Sequence, residues 1–224
     1  MKVSYEWLQS YFEKPLPSPR EIADGLTMHS FEVESLEEVA DDTVLNIAVL
    51  PNRAHDCLSH LGIARELAAV FNSKLNLQPA STCVVQGGLE KIELNVESSL
   101  VRRAMKRVMR GVKVGPSPAW LVRRLGAMGQ KSINNLVDAT NYVTYEMGQP
   151  VHAFDYQKLS LPITIRPARD EEQLIMLDGV EHTLTPSMLV ISDSEKALDV
   201  AGVKGGISSG ITEETQNVVL SVCN

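Results

Sequence analysis

Helical and strand-like spacings of apolar residues alternate along this chain in short blocks. Trp7, Leu8, Tyr11 and Phe12 recur at helical intervals, so residues 3–13 predict a short amphipathic helix with Ser4 as its N-cap. Pro15 and Pro17 end it. Ser18-Pro19-Arg20-Glu21 predicts the start of a second helix. There the serine caps, the proline takes the first turn and Glu21 closes a capping box, with Ile22, Ala23 and Leu26 on the buried side. Phe31 and Val33 alternate with acidic residues, as a half-buried strand does. Asp41-Asp42 predicts a turn, residues 44–50 a second strand, and Pro51-Asn52-Arg53 a polar loop. Ile63, Leu67, Val70 and Phe71 give residues 61–71 the spacing of a third helix.

Residues 77–88 read as a linker and turn, punctuated by Gly87-Gly88. Ile92, Leu94 and Val96 alternate as a strand, and residues 101–114 are strand-like but basic. Gly115-Pro116-Ser117-Pro118 leads into a helix over 119–128, and residues 133–147 begin as a loop and continue as a helix. Residues 163–165, 172–177, 187–192 and 218–222 predict strands, with Asp178-Gly179 as a hairpin turn and residues 201–206 as a glycine-rich turn. The predicted class is α+β. A small N-terminal helix/strand domain with its linker occupies residues 1–86, and a larger mixed α/β domain occupies 87–224.

Composition adds constraints. Only 5% of the 224 residues are aromatic against 44% hydrophobic, so aliphatic side chains carry most of the packing. The net charge of −7 argues against a uniformly basic nucleic-acid coat. The charge is segregated: −6 over residues 1–86, +7 over 87–131 and −8 over 132–224. Cys57, Cys83 and Cys223 are scattered and form no zinc spacing, which suits reduced thiols in a cytoplasmic setting. The N-terminus lacks the apolar run of a signal peptide, and no stretch is apolar enough to span a bilayer, so no membrane partner is expected.

Four constellations could carry chemistry. Residues 134–155 pack amides, hydroxyls, carboxylates and His152 among short apolar runs, and each such group buried without a partner costs about 1–3 kcal/mol. Thr140, Asn141 and His152 could converge on a ligand; equally, Asn135 or Asp138 could cap a helix with His152 satisfied in a turn. The glycines of 201–206 allow close backbone approach to an anion or ester, although a tight turn between strands needs them too. The basic residues from Arg102 to Lys113 suit either a phosphate-binding surface or a solvated edge strand. His55, Asp56, Cys57 and His60 invite a metal reading, but their spacing matches no standard zinc pattern and Asp56 or Ser59 serves as a helix cap; no metal site is expected. No Ser-His-Asp, Cys-His or GxSxG nucleophile motif occurs, so any hydrolysis would use a positioned water.

The segments Lys2-Val-Ser-Tyr-Glu-Trp-Leu8, Val49-Leu-Pro-Asn-Arg53, Asp56-Cys-Leu-Ser59, Gly62-Ile-Ala-Arg-Glu66 and Arg110-Gly-Val-Lys-Val-Gly-Pro-Ser-Pro118 carry a resemblance. It continues through Ile133-Asn-Asn135, residues 138–143, Gly148-Gln-Pro150, residues 152–155, Asp178-Gly179 and Ala201-Gly202. In order and along its whole length, the chain resembles the N-terminal part of bacterial phenylalanyl-tRNA synthetase beta subunits. The resemblance implies an editing domain from residue 88 onward that hydrolyses tyrosine wrongly esterified to tRNA(Phe). It implies pocket residues Thr140, Asn141 and His152 and a glycine-rich wall at Ala201, Gly202 and Gly205; the basic block itself offers Arg102, Arg103 and Arg107 as weak tRNA contacts. The resemblance also implies an alpha subunit as catalytic partner, with ATP and magnesium used by the full synthetase, no cofactor in this segment, and no aminoacylation by this segment alone. Two departures stand out. Phe31-Glu-Val-Glu-Ser35 passes almost at once to residues 42–47, without the family's oligonucleotide-binding-fold insertion, and the chain stops at Asn224 in a strand still in progress, as a fragment would. In addition, Ser221 stands where the family uses a glutamate to hold the tyrosine hydroxyl, which predicts weakened or lost selectivity for tyrosine. On the rival reading the domain is a non-catalytic scaffold or tRNA-contacting module.

Overall fold

The computed structural model describes residues 1–77 and 90–224, so the expected Gly87-Gly88 turn lies outside the described residues. Among the described residues the chain groups into two compact units. The first holds residues 1–77, Ser117–Ile133 and Asn141–Gln149; the second holds 90–116, Asn134–Thr140 and Pro150–Asn224. This grouping cuts differently from the 1–86/87–224 expectation, because two later stretches join the first unit. No helix of the described residues is long and apolar enough to cross a membrane.

In the first unit, β1 (Lys2–Ser4) precedes α1 (Tyr5–Gln9), so the single helix read over 3–13 is instead a short strand and a shorter helix. The cause is pairing: Lys2–Ser4 run antiparallel to Val44–Asn46 before Ser4 turns the chain. Ser4 then caps α1 as expected, accepting from the Trp7 amide at 3.0 Å. α2 (Pro19–His29) has the full capping box, with Ser18 and Glu21 each bonded to the other's backbone. β2 (Val33–Val39) and β3 (Asp42–Ile47) complete an antiparallel sheet in the order β1-β3-β2. The chain continues through α3 (Ala54–Cys57), α4 (His60–Val70), α5 (Ala119–Ala127) and α6 (Asn135–Met147), whose C-terminal part belongs here. Ser59 caps α4 through the Gly62 amide. The core joins Trp7, Leu8, Ile22, Leu26, Leu45, Ile47, Ile63 and Leu67 with Ala127 and Met128, and this shared burial draws Ser117–Ile133 into the first unit. Tyr142, just past the middle of α6, stacks on Trp7 with ring centroids 4.7 Å apart.

The second unit is mostly sheet. β4 (Leu94–Val96) and β5 (Ala104–Arg110) come before the N-terminal part of α6; β6 (His152–Asp155), β7 (Ile163–Pro167), β8 (Gln173–Ile175), β9 (Glu181–Thr183), β10 (Leu189–Ser192), β11 (Ala197–Val200), β12 (Lys204–Gly205) and β13 (Asn217–Cys223) follow. One sheet runs β12-β11-β10-β7-β4, antiparallel except where β4 lies parallel to β7. The other runs β5-β13-β6, antiparallel throughout. The two share a core of Phe154 and Val219 from the smaller sheet and Ile163, Ile165, Ile191 and Leu198 from the larger. The β8–β9 hairpin turns at Asp178-Gly179 as expected, with Gly179 at φ +78°. Its Leu174 and the neighbouring Met176 and Leu184 pack with Val190, Ala197 and Val200. The N-terminus of α6 is capped by Asn134, whose side chain accepts from the Leu136 and Val137 amides; the expected cap Asn135 instead bonds Gly115 and Lys113.

Candidate functional site

Strand register builds the site in the second unit. Ser221 on the central strand β13 lies directly opposite Lys106 on β5 and His152 on β6. Directly opposed residues share a face, so the three side chains form one row across the sheet. Two residues along, the same face carries Val108, Val219 and Phe154, the last two of which are core residues, so the row points inward. From the larger sheet come Asp199 on β11 and, paired with it, Gly205 on β12. His152, Asp199, Gly202, Gly205, Ser221 and Cys223 are among the residues around a pocket of about 230 Å³. Its whole lining belongs to the second unit.

The contacts within it are specific. The Lys106 ammonium donates to Ser221 Oγ. The His152 ring lies against Gly205, where a methyl group would come within 2.4 Å of Cε1. Its Nδ1 is 3.8 Å from Asp199 Oδ2, beyond a direct hydrogen bond, and its Nε2 is buried with no hydrogen-bond partner among the described residues. Burial, helped by the Lys106 charge, lowers the His152 pKa to about 4, so the imidazole is neutral near pH 7. Burial raises Asp199 to about 6 although Lys106 pulls the other way. Lys106 is itself lowered, again by burial. The pocket therefore holds a neutral imidazole and a carboxylate that are not hydrogen-bonded to each other, with the Lys106 ammonium beside it on Ser221.

Of the residues singled out in the sequence, the structure brings His152, Gly202, Gly205 and Ser221 to this pocket. Thr140 and Asn141 lie on α6 and are not in its lining; Thr140 Oγ1 donates to the Val137 carbonyl at 2.7 Å. Ala201 packs at the edge of the inter-sheet core instead. Arg102 and Arg103 are exposed just before β5, where their amides bond the Asn224 carbonyl, and Arg107 is exposed on β5. β5 is an edge strand, so the basic block has two faces, with Arg107 outward and Lys106 inward. Reading the block as all surface hid Lys106. Asp199 was missed as well, although a lone carboxylate within Ala197-Leu-Asp-Val200, a strand buried at every position, was a usable signal.

The other suspected cluster resolves differently. Ligand atoms of Asp56, Cys57 and Glu66 lie within 4.8 Å of one another, but the Arg53 guanidinium donates to all three, at 2.7, 3.1 and 2.6 Å. That cation already occupies the position a metal would need. Burial also pushes the Cys57 thiol up to about 12, and a protonated thiol is a poor ligand. His60 is structural: its Nε2 accepts from the Ser4 amide, so Nδ1 carries the hydrogen and donates to the Tyr145 carbonyl.

Comparison with known proteins follows the same lines. A family model described as the B3/4 domain matches residues 100–224. The phenylalanine–tRNA ligase beta subunit of Rhodopirellula baltica is 42% identical over 224 residues, covering 98% of this chain and 32% of that protein. The Fusobacterium nucleatum beta subunit is 43% identical over 185 residues, covering 81% of this chain and 23% of that protein. The chain thus spans a third or less of the length of these relatives. A crystal structure of an N-terminal fragment of the phenylalanyl-tRNA synthetase beta subunit from Pyrococcus horikoshii covers all of this chain and 67% of its own, with a TM-score of 0.53. At 15% identity that likeness is one of fold. The chain belongs to the B3/4-domain family, and the curated proteins it resembles are phenylalanine–tRNA ligase beta subunits.

Proposed function

We propose that this chain is part of a phenylalanine–tRNA ligase beta subunit and that its His152 pocket is an editing site, hydrolysing tyrosine wrongly esterified to tRNA(Phe). The observation that carries the reading is that His152, Ser221, Asp199 and Gly205 meet around one cavity, with Lys106 beside Ser221 in the same row and bonded to it. At about 230 Å³ the cavity falls below the roughly 300–1,000 Å³ of sites for drug-sized ligands, which suits an amino acid better than a nucleotide. The chemical need is clear: a hydrophobic synthetic pocket rejects an isostere bearing one extra hydroxyl only about 100-fold, so a second site must remove the error.

Water attacks the ester carbonyl, the new C–O bond forms, the ester C–O bond breaks, and the terminal ribose oxygen leaves with a proton. A base works best with a pKa near the working pH, so His152 at about 4 is a poor proton acceptor. It orients water or ester through Nε2 instead. Lys106 donates to Ser221 Oγ and holds that hydroxyl for the tyrosine side chain, the part of the ligand that the resemblance assigns to this position. Thr140 and Asn141 enter this proposal by resemblance alone. The implied partners are the alpha subunit and tRNA(Phe), and the ATP and magnesium chemistry belongs to the complete ligase.

Deacylation of Tyr-tRNA(Phe) tests the reading. The chain should hydrolyse it above the protein-free rate, and His152→Ala should lose about 100-fold, the scale of one well-placed catalytic group. Ser221→Glu should quicken the reaction, because a charge-assisted bond to the tyrosine hydroxyl is roughly twice as strong as a neutral one. Hydrolysis no faster than background in both wild type and Ser221→Glu leaves the rival, a non-catalytic tRNA-contacting module, which the uncharged Ser221 favours.

A further inference from the structure

The geometry points to Asp199 as the group that receives the α-ammonium of an amino acid or aminoacyl ester in this pocket. The inference rests on the reading that the pocket takes such a ligand, and it names the group that tells an aminoacylated tRNA end from a bare one. Asp199 lines the cavity with its side chain only 9% exposed, yet no described residue donates a hydrogen bond to its carboxylate. His152 Nδ1 is 3.8 Å away, on a neutral ring. The Lys106 ammonium is engaged by Ser221. A buried charge without a hydrogen-bonded partner is costly, and here the partner must come from the cavity. An aminoacyl ester brings an ammonium; a free ribose terminus brings only hydroxyls. Across the cavity the Ser221 hydroxyl, held by Lys106, offers a polar group to the side-chain end of the same ligand. The two walls thus match the two ends of one amino acid.

The test uses two probes that cannot be hydrolysed at an ester: L-tyrosinamide, which keeps the ammonium, and N-acetyl-L-tyrosinamide, which lacks it. Calorimetric or NMR titration near pH 6.8 finds the α-amino group mostly protonated and Asp199 mostly ionised. Tyrosinamide should bind at least about 10-fold more tightly, the worth of a hydrogen bond to a charged group. Asp199→Asn should abolish that preference. Equal affinity of the two probes, no binding of either, or a preference that survives Asp199→Asn overturns the assignment. Should the variant fail to fold, the wild-type pH profile decides. The preference should shrink as pH falls from about 7 to 5 and Asp199 takes up a proton. Of the groups packed around it, Lys106 on β5 is lowered by burial and bonded to Ser221, His152 on β6 titrates lower at about 4, Cys223 on β13 is in no disulfide, and Lys204 on β12 is held by Asp178. A flat profile overturns the assignment too. Probe preference without Tyr-tRNA deacylation would keep Asp199 as the ammonium site and reject hydrolysis, so the two failures are distinguishable.

Discussion

A methyl group at Gly205 would meet His152 at 2.4 Å from Cε1, 3.1 Å from Nε2 and 3.2 Å from Nδ1. The imidazole cannot keep its place above a larger residue there. Gly205→Ala should therefore push His152 off its position, costing about 1–3 kcal/mol of stability as overpacking does and lowering ligand affinity at least about 10-fold. Gly202 makes a useful control. It has φ +74°, so an alanine is strained by about 1–2 kcal/mol, but nothing lies within 4 Å of its added methyl. Gly202→Ala should lose similar stability while leaving the His152 ring in place. Thermal melts together with the His152 ring resonances separate the two; a displaced ring in both variants would contradict the steric account. At this scale residue type marked His152 and the glycines of 201–206 as candidates but left a satisfied turn histidine and a plain tight turn open, and their site roles came from the resemblance. Lys106 and Asp199 were not marked, because an ionisable residue at a sheet position is ordinarily solvated and only register shows it facing inward.

Among elements, α4 depends on a glycine for a different reason. A methyl at Gly62 would stand 2.2 Å from the Asp56 carbonyl oxygen and 2.7 Å from Cys57 Cα, both backbone atoms of α3 that cannot swing aside. Alanine is the better helix former by about 1 kcal/mol, so propensity and packing oppose each other. Packing wins at these distances: Gly62→Ala should destabilise by roughly 2 kcal/mol or more in denaturant melts, and a neutral or stabilising result would show that α3 moves freely. Ser18→Ala should cost about 1 kcal/mol, since it removes the capping box at the start of α2. Helix starts were readable because caps are local chemistry: Ser4, Ser18 and Ser59 all perform as their sequence context implies. Strands β1, β6 and β11 were not readable. Ala197–Val200 is buried at every position and His152–Asp155 at three of four, so period-two alternation is absent from both, and β1 is too short to show any.

For the molecule as a whole, the α+β class followed from interleaved periodicities, but the grouping of α5 and the end of α6 with the first unit depends on contacts between residues over a hundred positions apart, such as Trp7 with Tyr142. The two units also carry different titrating groups, and this separates their behaviour in acid. His60 in the first unit is fully buried, and burial lowers its pKa to about 4 from an ordinary 6.5. Its folded value lies below its unfolded one, so its contribution is complete above pH 6.5 and is lost as the pH falls towards 4. Between pH 6.5 and 4.5 that loss is about 2–3 kcal/mol. The second unit holds His152, shifted the same way, together with Asp199, raised from 3.8 to about 6. A raised carboxyl pKa works in the opposite sense: the folded form takes up its proton first, so stability grows as the pH falls from 6 to 3.8. The two shifts in the second unit are of similar size and offset each other. Asp56 is held down to about 2 by Arg53 and so acts below this window, and Glu172 is likewise lowered by Arg166. Amide hydrogen exchange, corrected for intrinsic rates, should therefore show protection of β3 in the first unit falling by about 2–3 kcal/mol between pH 6.5 and 4.5. Protection of β13 in the second should change by less than about 1 kcal/mol. In His60→Gln, which has no proton to gain, the decline in the first unit should flatten. A parallel decline in both units, or one that survives His60→Gln, would mean that the buried imidazole of the first unit does not set its acid stability.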